Sequence, residues 1–187
     1  MRNLIFILAT LFSSVVFAAK DSSININFAY PQTGTAIGAQ IGLILERTDI
    51  FKIYGFKAKI QKLKTSSELQ KTIVEGINDV VIMTESDYVA LTEKNAKVQA
   101  ISTLGTEKNF QLVNVINKAY SEKNKEAEER LNGAFVDAFY YLVNHKVEVN
   151  KWYADIAKMK PAEVDAASQT NKNYNAKKLS EITIKIQ

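Results

Sequence analysis

The chain has 187 residues, a net charge of +4, one histidine and no cysteine. The missing cysteines exclude a disulfide framework, a thiolate metal site, a cysteine nucleophile and the lipid anchor of a bacterial lipoprotein. The 24 Lys+Arg are scattered among 20 Asp+Glu, with no basic run interleaved with aromatics, which argues against a nucleic-acid partner.

Met1-Arg2-Asn3 is a short basic start, Leu4 to Phe17 is almost wholly apolar, and Val16-Phe17-Ala18 ends with a small residue at the cut. That pattern is a secretory signal peptide over residues 1–18. The apolar run falls short of the roughly 20 residues of a spanning helix. The expected location is an exported space, most simply a periplasm, with residues 19–187 as one domain. A domain near 150 residues buries about 68–70% of its unfolded surface, so a core can hold this one without disulfides.

Ser23 to Phe28 alternates apolar and polar residues, the signature of a strand. After the turn Tyr30-Pro31-Gln32-Thr33-Gly34, a helix is expected from Thr35 to Lys52, with Ile37, Ile41, Ile44, Leu45, Thr48 and Phe51 mostly on one face. Gly55 suits its left-handed cap, and Gly38 and Gly42 are expected to let it approach the sheet closely. Phe56, Ala58 and Ile60 alternate as a second strand. Thr65 with Glu68 three residues on has the spacing of a capping box, opening a helix that buries Leu69, Ile73 and Val74. The apolar run Asp79 to Met83 suits a strand covered on both faces of a parallel sheet. Thr84 to Asp87 open a helix carrying Tyr88, Val89 and Leu91. A fourth strand follows, with either Val98, Ala100 and Ser102 or Ile101 and Leu104 inward. This β-α-β-α-β-α-β order specifies an α/β fold: a three-layer, open, mostly parallel sheet with helices on both faces.

Phe110 to Ile116 is one more strand. The short Gly105–Asn109 connection before it implies an antiparallel hairpin or a displaced neighbour. One long helix is expected from Glu122 to Lys146, turning Leu131, Ala134, Phe135, Ala138, Phe139, Leu142 and Val143 inward. Two shorter helices follow, one around Trp152 and Ile156 and one opened by Pro161. Ile182 to Ile186 alternates as an edge strand.

Three turns, Pro31–Thr35, Lys64–Glu68 and Thr84–Asp87, converge on the carboxyl ends of the first three strands. None carries a G-x-G-x-x-G or G-x-x-x-x-G-K-[ST] phosphate loop. A helix N-terminus nevertheless offers N–H groups and partial positive charge, and the ligand crevice of an open α/β sheet lies at that edge. The candidate ligand-binding residues are Gln32, Thr33, Gly34, Thr35, Thr65, Ser66, Thr84 and Ser86, against the competing reading that the hydroxyls are N-caps alone. No cofactor or metal set is evident. Glu85 and Asp87 are a carboxylate pair of the kind used in acid–base chemistry, but at a helix start they answer the dipole. His145, expected in the last turn of the long helix, lacks partners for a dyad or a metal. Tyr140-Tyr141 and Trp152-Tyr153 read as core. The chain is read as a binding protein, not an enzyme.

Two phrases add a resemblance. Gly42-Leu43 with Ile50-Phe51-Lys52-Ile53-Tyr54-Gly55-Phe56-Lys57-Ala58, then Thr72-Ile73-Val74-Glu75-Gly76-Ile77-Asn78-Asp79-Val80, resemble the nitrate/taurine/sulfonate and thiamine-precursor class of solute-binding proteins of ABC transporters. Ile77 and Asn78 stand in the reverse of that family's polar-then-apolar order. Lys118 to Ala127, Leu131 to Ala138 and Asn171 to Tyr174 are similar to its later segments. The resemblance implies a type II periplasmic-binding-protein fold, an exported substrate-binding role for a small polar or anionic solute, and an ABC-transporter permease as partner.

The family has two lobes that close like jaws. Here Gly105 to Asn117 passes directly from the first-lobe strand to the C-terminal return, so the expectation is a single lobe with C-terminal helices. If half the interaction energy went with the missing jaw, a micromolar ligand at about −8 kcal/mol would become millimolar at about −4 kcal/mol. Residues 147–180 folding over the crevice, or a second copy in a homodimer, would restore a wall. The alternative function is a one-lobed relative that serves in protein interaction or self-association.

Overall fold

The computed structural model describes residues 23–107, 110–160 and 162–164. The expected signal peptide, the strand at 182–186 and Pro161 lie outside them.

The elements run β1 (Ile24–Pro31), α1 (Ala36–Arg47), α2 (Ile50–Ile53), β2 (Phe56–Leu63), α3 (Ser66–Val74), β3 (Val80–Thr84), α4 (Glu85–Glu93), β4 (Val98–Glu107), β5 (Phe110–Asn117), α5 (Lys118–Lys123), α6 (Ala127–Asn144) and α7 (Lys146–Ala157). The sheet order is β2-β1-β3-β5-β4. β1 lies parallel to β2 and β3, and β5 lies antiparallel to both β3 and β4. The two alternatives raised by the short connection after β4 thus both hold. It turns the chain back as a hairpin, and it inserts β5 between β3 and β4.

Alternation in the strands sends side chains to two cores. Ile26, Phe28 and Tyr30 of β1, with Val80 and Ile82 of β3, face α1, α2, α6 and α7. Ala29, Val81 and Met83 face Leu69 and Ile73 of α3 and Leu91 of α4. This is the three-layer α/β arrangement expected, with a mostly parallel sheet of five strands. In β4 the register slips between Ala100 and Ser102 and again between Thr103 and Gly105. These bulges let Val98 and Ala100 reach one core while Ile101 and Leu104, three apart, reach the other.

Several boundaries differ from the sequence reading. The first helix breaks after Arg47: the Thr48 backbone is extended, and its N–H and hydroxyl both donate to the Ile44 carbonyl, at 3.0 and 2.7 Å. Phe51 still falls on the buried face because α2 packs against the same core. Gly55 ends α2 at φ +75°. The long helix starts at Ala127, not Glu122. Asn124, at φ −127° and ψ 68°, stops α5 and bonds back to the Tyr120 carbonyl through its N–H and its side-chain amide. It ends at Asn144, so His145 is the joint between α6 and α7 instead of a last-turn residue, with its ring stacked 4.2 Å from that of Tyr141. Leu131, Ala134, Phe135, Ala138 and Leu142 are buried as expected, whereas Phe139 is half-buried and Val143 exposed. Val74 and Val89 are exposed as well, because α3 and α4 each bury only a narrow stripe.

The reversed pair Ile77-Asn78 has a local cause. Asn78 is buried, and its amide donates to Gln61 Oε1 at 3.3 Å, while Ile77 faces solvent. A second buried polar pair, Gln40 Nε2 to Asn150 Oδ1 at 2.6 Å, ties α1 to α7.

Candidate functional site

The sheet brings the carboxyl ends of β2, β1 and β3 side by side. The Gln32 N–H donates to the Leu63 carbonyl at 2.8 Å, which holds the first turn against the second. A cleft of about 310 Å³ opens there. Pro31, Leu69 and Met83 give it apolar walls, and Thr33, Gly34, Thr35, Thr65, Ser66 and Thr84 give it hydroxyls and backbone. Lys64 and Asp87 are its charged lining residues. Six of the eight sequence candidates thus meet at one cleft; Gln32 and Ser86 do not line it. Lys64, Leu69 and Met83 were not among the candidates. Lys64 had a usable signal, since it is the last residue before the N-cap Thr65 and must stand at the same edge.

The three turns look alike in sequence but differ in bonding. At α3 the capping box is complete. Glu68 N–H donates to Thr65 Oγ1 at 3.2 Å, and the Glu68 carboxylate accepts from the N–H groups of Thr65 and Lys64 at 3.1 and 2.8 Å. Those backbone donors hold the Glu68 carboxyl below the usual range. At α4, Thr84 Oγ1 accepts from Asp87 N–H at 3.2 Å and donates to Asp87 Oδ2 at 2.7 Å. Its one proton is then used, so Ser86 is the donor in the 2.9 Å contact between the two hydroxyls. Asp87 Oδ1 accepts from Gln70 Nε2 at 2.9 Å. The carboxylate considered for acid–base chemistry is thus committed to structural bonds.

The turn before α1 is different. Thr35 is the N-cap residue, extended at φ −119° and ψ 109°, yet its side chain makes no cap bond. Its hydroxyl is buried and has no hydrogen-bond partner. Leaving such a group unmet costs about 1–3 kcal/mol. The third residue of the helix also differs: Glu68 and Asp87 stand there in the other two turns and donate their backbone N–H to the cap hydroxyl, whereas the backbone N–H of Gly38 makes no bond to Thr35. A β-carbon at Gly38 would sit 2.7 Å from the Thr35 hydroxyl, so glycine makes its pocket. Gly34, at φ +100°, turns the chain just before it and faces open space.

Thr65→Ala is expected to lower stability by about 1 kcal/mol, the usual cost of a lost N-cap, measured as a shift of the urea midpoint at constant slope. The sign of the pH dependence follows from Glu68. Its folded-state carboxyl is depressed, so its contribution is present above the unfolded pKa and fades as pH falls through the folded one. The wild-type advantage over Glu68→Gln, measured the same way, should shrink in acid.

No protein-family model matches the sequence, and no curated protein matches it. The fold does have a solved counterpart. The chain is similar to the periplasmic aliphatic sulphonate binding protein SsuA from Escherichia coli, with a TM-score of 0.61 at 8% identity, over 78% of this chain and 82% of that one. At that identity the likeness establishes the fold: one lobe of a periplasmic-binding-protein-like α/β architecture. Among the described residues no helix is long and apolar enough to cross a membrane, and no group of three or more His, Asp or Glu side chains could hold a metal ion.

Proposed function

We propose that the protein is an exported binding protein for a small polar or anionic solute, held in the cleft over the ends of β1, β2 and β3. The observation that carries this reading is the Thr35 hydroxyl. It is the one buried side-chain group of the three turns without a hydrogen-bond partner, at a cleft that also holds Lys64. The sulphonate-binding fold neighbour supports an anionic solute and a periplasmic location. A transporter permease is the proposed downstream partner. Binding without catalysis fits the structural commitment of Asp87.

The cleft is shallow. Its volume sits at the lower end of ligand pockets, roughly 300–1,000 Å³. The wall sought from residues 147–180 is not supplied by α7, which packs on α1 beside α6; residues 165–180 lie outside the described ones. The expected affinity is therefore weak, near millimolar.

Calorimetry with sulfonates, nitrate, bicarbonate and pyrimidine precursors tests the proposal. One member should bind the wild type, and Thr35→Val with Lys64→Ala should weaken it by about 10- to 100-fold, as loss of hydrogen bonds to a charged group does. Equal binding by the variant would put the site elsewhere. Silence across the panel at millimolar concentration would favour the second reading, a self-associating lobe, for which an exposed apolar stripe on α6 speaks.

A further inference from the structure

We infer that the outer edge of β2 is a docking surface whose occupant is the chain's own segment Ile182 to Ile186, added as a further strand parallel to β2. This does not rest on the ligand reading. Among the described residues β2 ends the sheet. The Ile24 N–H donates to the Gly55 carbonyl and the Gln32 N–H to the Leu63 carbonyl, both at 2.8 Å. Between them the register is unbroken, from Ile24 beside Phe56 to Pro31 beside Leu63. In a parallel ladder the odd-numbered residues of β2 therefore turn their N–H and C=O groups to β1. Those of Phe56, Ala58, Ile60 and Lys62 point outward, a row of unpaired groups of the kind that native proteins cover. The same edge has an apolar margin. Alternation turns Ala58 and Ile60 to the α1 layer with Phe56, yet Ala58 is exposed and Ile60 only half-buried. Ile53 of α2, the helix packed on β2, is 74% exposed.

Topology, register and charge select the occupant. Ile182, Ile184 and Ile186 alternate with Thr183 and Lys185, a strand pattern with one apolar face. Val164, the last described residue, is buried in the core shared by α1, α6 and α7, so the chain leaves on the α1 face. On that face α1 carries the chain from β1 outward to β2. A parallel strand reached from the same face keeps the same hand only by continuing past β2; beyond β4 the crossover would be left-handed. The β4 edge is also interrupted by its two bulges. Residues 165–181 reach about 55 Å when extended, well beyond the roughly 20 Å across the sheet. Setting Ile182, Ile184 and Ile186 beside Ala58, Ile60 and Lys62 puts the isoleucines on the α1 face, over the apolar margin. On the other face Glu181 then stands beside Lys57, Thr183 beside Lys59 and Lys185 beside Gln61, so opposite charges pair and no like charges stand opposite each other. A shift of two residues toward the start of β2 would set Lys185 beside Lys59, and one toward its end would carry Ile186 past Leu63. A shift of one would turn the isoleucines to the lysine face.

Hydrogen exchange on the full chain carries its own control. The amides of Lys57, Lys59 and Gln61 face β1 and should exchange slowly whatever covers the edge. Those of Ala58, Ile60 and Lys62 should be slowed by at least about tenfold relative to unstructured amides, equally at every protein concentration. Thr183→Pro, which removes the N–H aimed at the Ala58 carbonyl, should release the even-numbered amides and leave the odd-numbered ones slow. The chain has no cysteine, so engineered pairs report neighbours directly. Lys59→Cys with Thr183→Cys should form a disulfide within one chain, because strands about 4.8 Å apart lie within bridging distance. Thr103→Cys of β4 with Thr183→Cys should not. Lys57→Cys with Glu181→Cys should close more readily than Lys57→Cys with Lys185→Cys, the pair that an antiparallel strand would favour. Unprotected even-numbered amides in the wild type, coupling of position 183 to Thr103→Cys instead, or the reverse preference between the two Lys57→Cys pairs overturns the inference. Disulfides between chains would overturn it in favour of a strand lent by a second copy. Protection that survives Thr183→Pro would overturn it in favour of a different cover.

Discussion

Phe28→Ala is expected to lower the unfolding free energy by about 3–5 kcal/mol, the range for a buried aromatic truncated to alanine. Phe28 sits in β1, the strand flanked by β2 and β3, and is fully buried. Its ring meets Phe51 of α2 edge-on at 5.3 Å, Phe135 of α6 at 6.0 Å and Tyr30 of its own strand at 6.1 Å. One side chain thus joins the sheet to two helices from distant parts of the sequence, and each aromatic pair adds about 0.5–1.5 kcal/mol beyond its buried area. Denaturant melts at unchanged slope measure the loss. A value under about 1 kcal/mol would mean that α2 and α6 close over the void, and the packing described for this face would be wrong. Phe139, which helical spacing alone would place beside Phe135, is half-buried. Its truncation should cost only about 1–2 kcal/mol, in proportion to the area it covers.

That contrast shows how far the sequence could be read. Strand and helix periods are local, so the five strands, the layer order and the antiparallel return of β5 were legible from apolar spacing and one short connection. Helix ends depend on which backbone groups a side chain happens to reach. The stripe from Ile37 to Phe51 runs unbroken through Thr48 because α1 and α2 bury the same side, and the break becomes visible only in the bonds to the Ile44 carbonyl. Val143 keeps the rhythm of Leu131, Phe135 and Leu142, yet no element covers that side of α6 among the described residues. At the cleft, strand ends and hydroxyl-rich turns were enough to name the place. They were not enough to separate Thr35 from Thr65 and Thr84, because caps and ligand contacts use the same residue types. The distinguishing mark is the bonding itself: backbone N–H groups reach the hydroxyls of Thr65 and Thr84, and none reaches that of Thr35.

Gly42→Ala is expected to destabilise the fold by about 3 kcal/mol, at the upper end for overpacking, although alanine is the better helix former by about 1 kcal/mol. A β-carbon at Gly42 would lie 2.0 Å from Cγ of Tyr30 and 2.2 and 2.6 Å from its Cδ atoms. The ring cannot step aside. It is fully buried in β1, and its hydroxyl donates to Glu46 Oε2 at 2.5 Å, while Glu46 also pairs with Lys62 at 2.9 Å. Burial first, and then the Glu46 bond, push the Tyr30 hydroxyl well above its ordinary ionisation range, so it remains a donor at any pH of interest. The glycine is thus a matched hole for one ring, which sets how closely α1 lies on the sheet. A double-mutant cycle makes the claim specific. Tyr30→Leu alone should cost about 2–4 kcal/mol, but in that background Gly42→Ala should be nearly neutral, a coupling of about 2–3 kcal/mol. Costs that add to within about 0.5 kcal/mol would show that the two positions do not touch and that α1 stands further from β1 than these distances require.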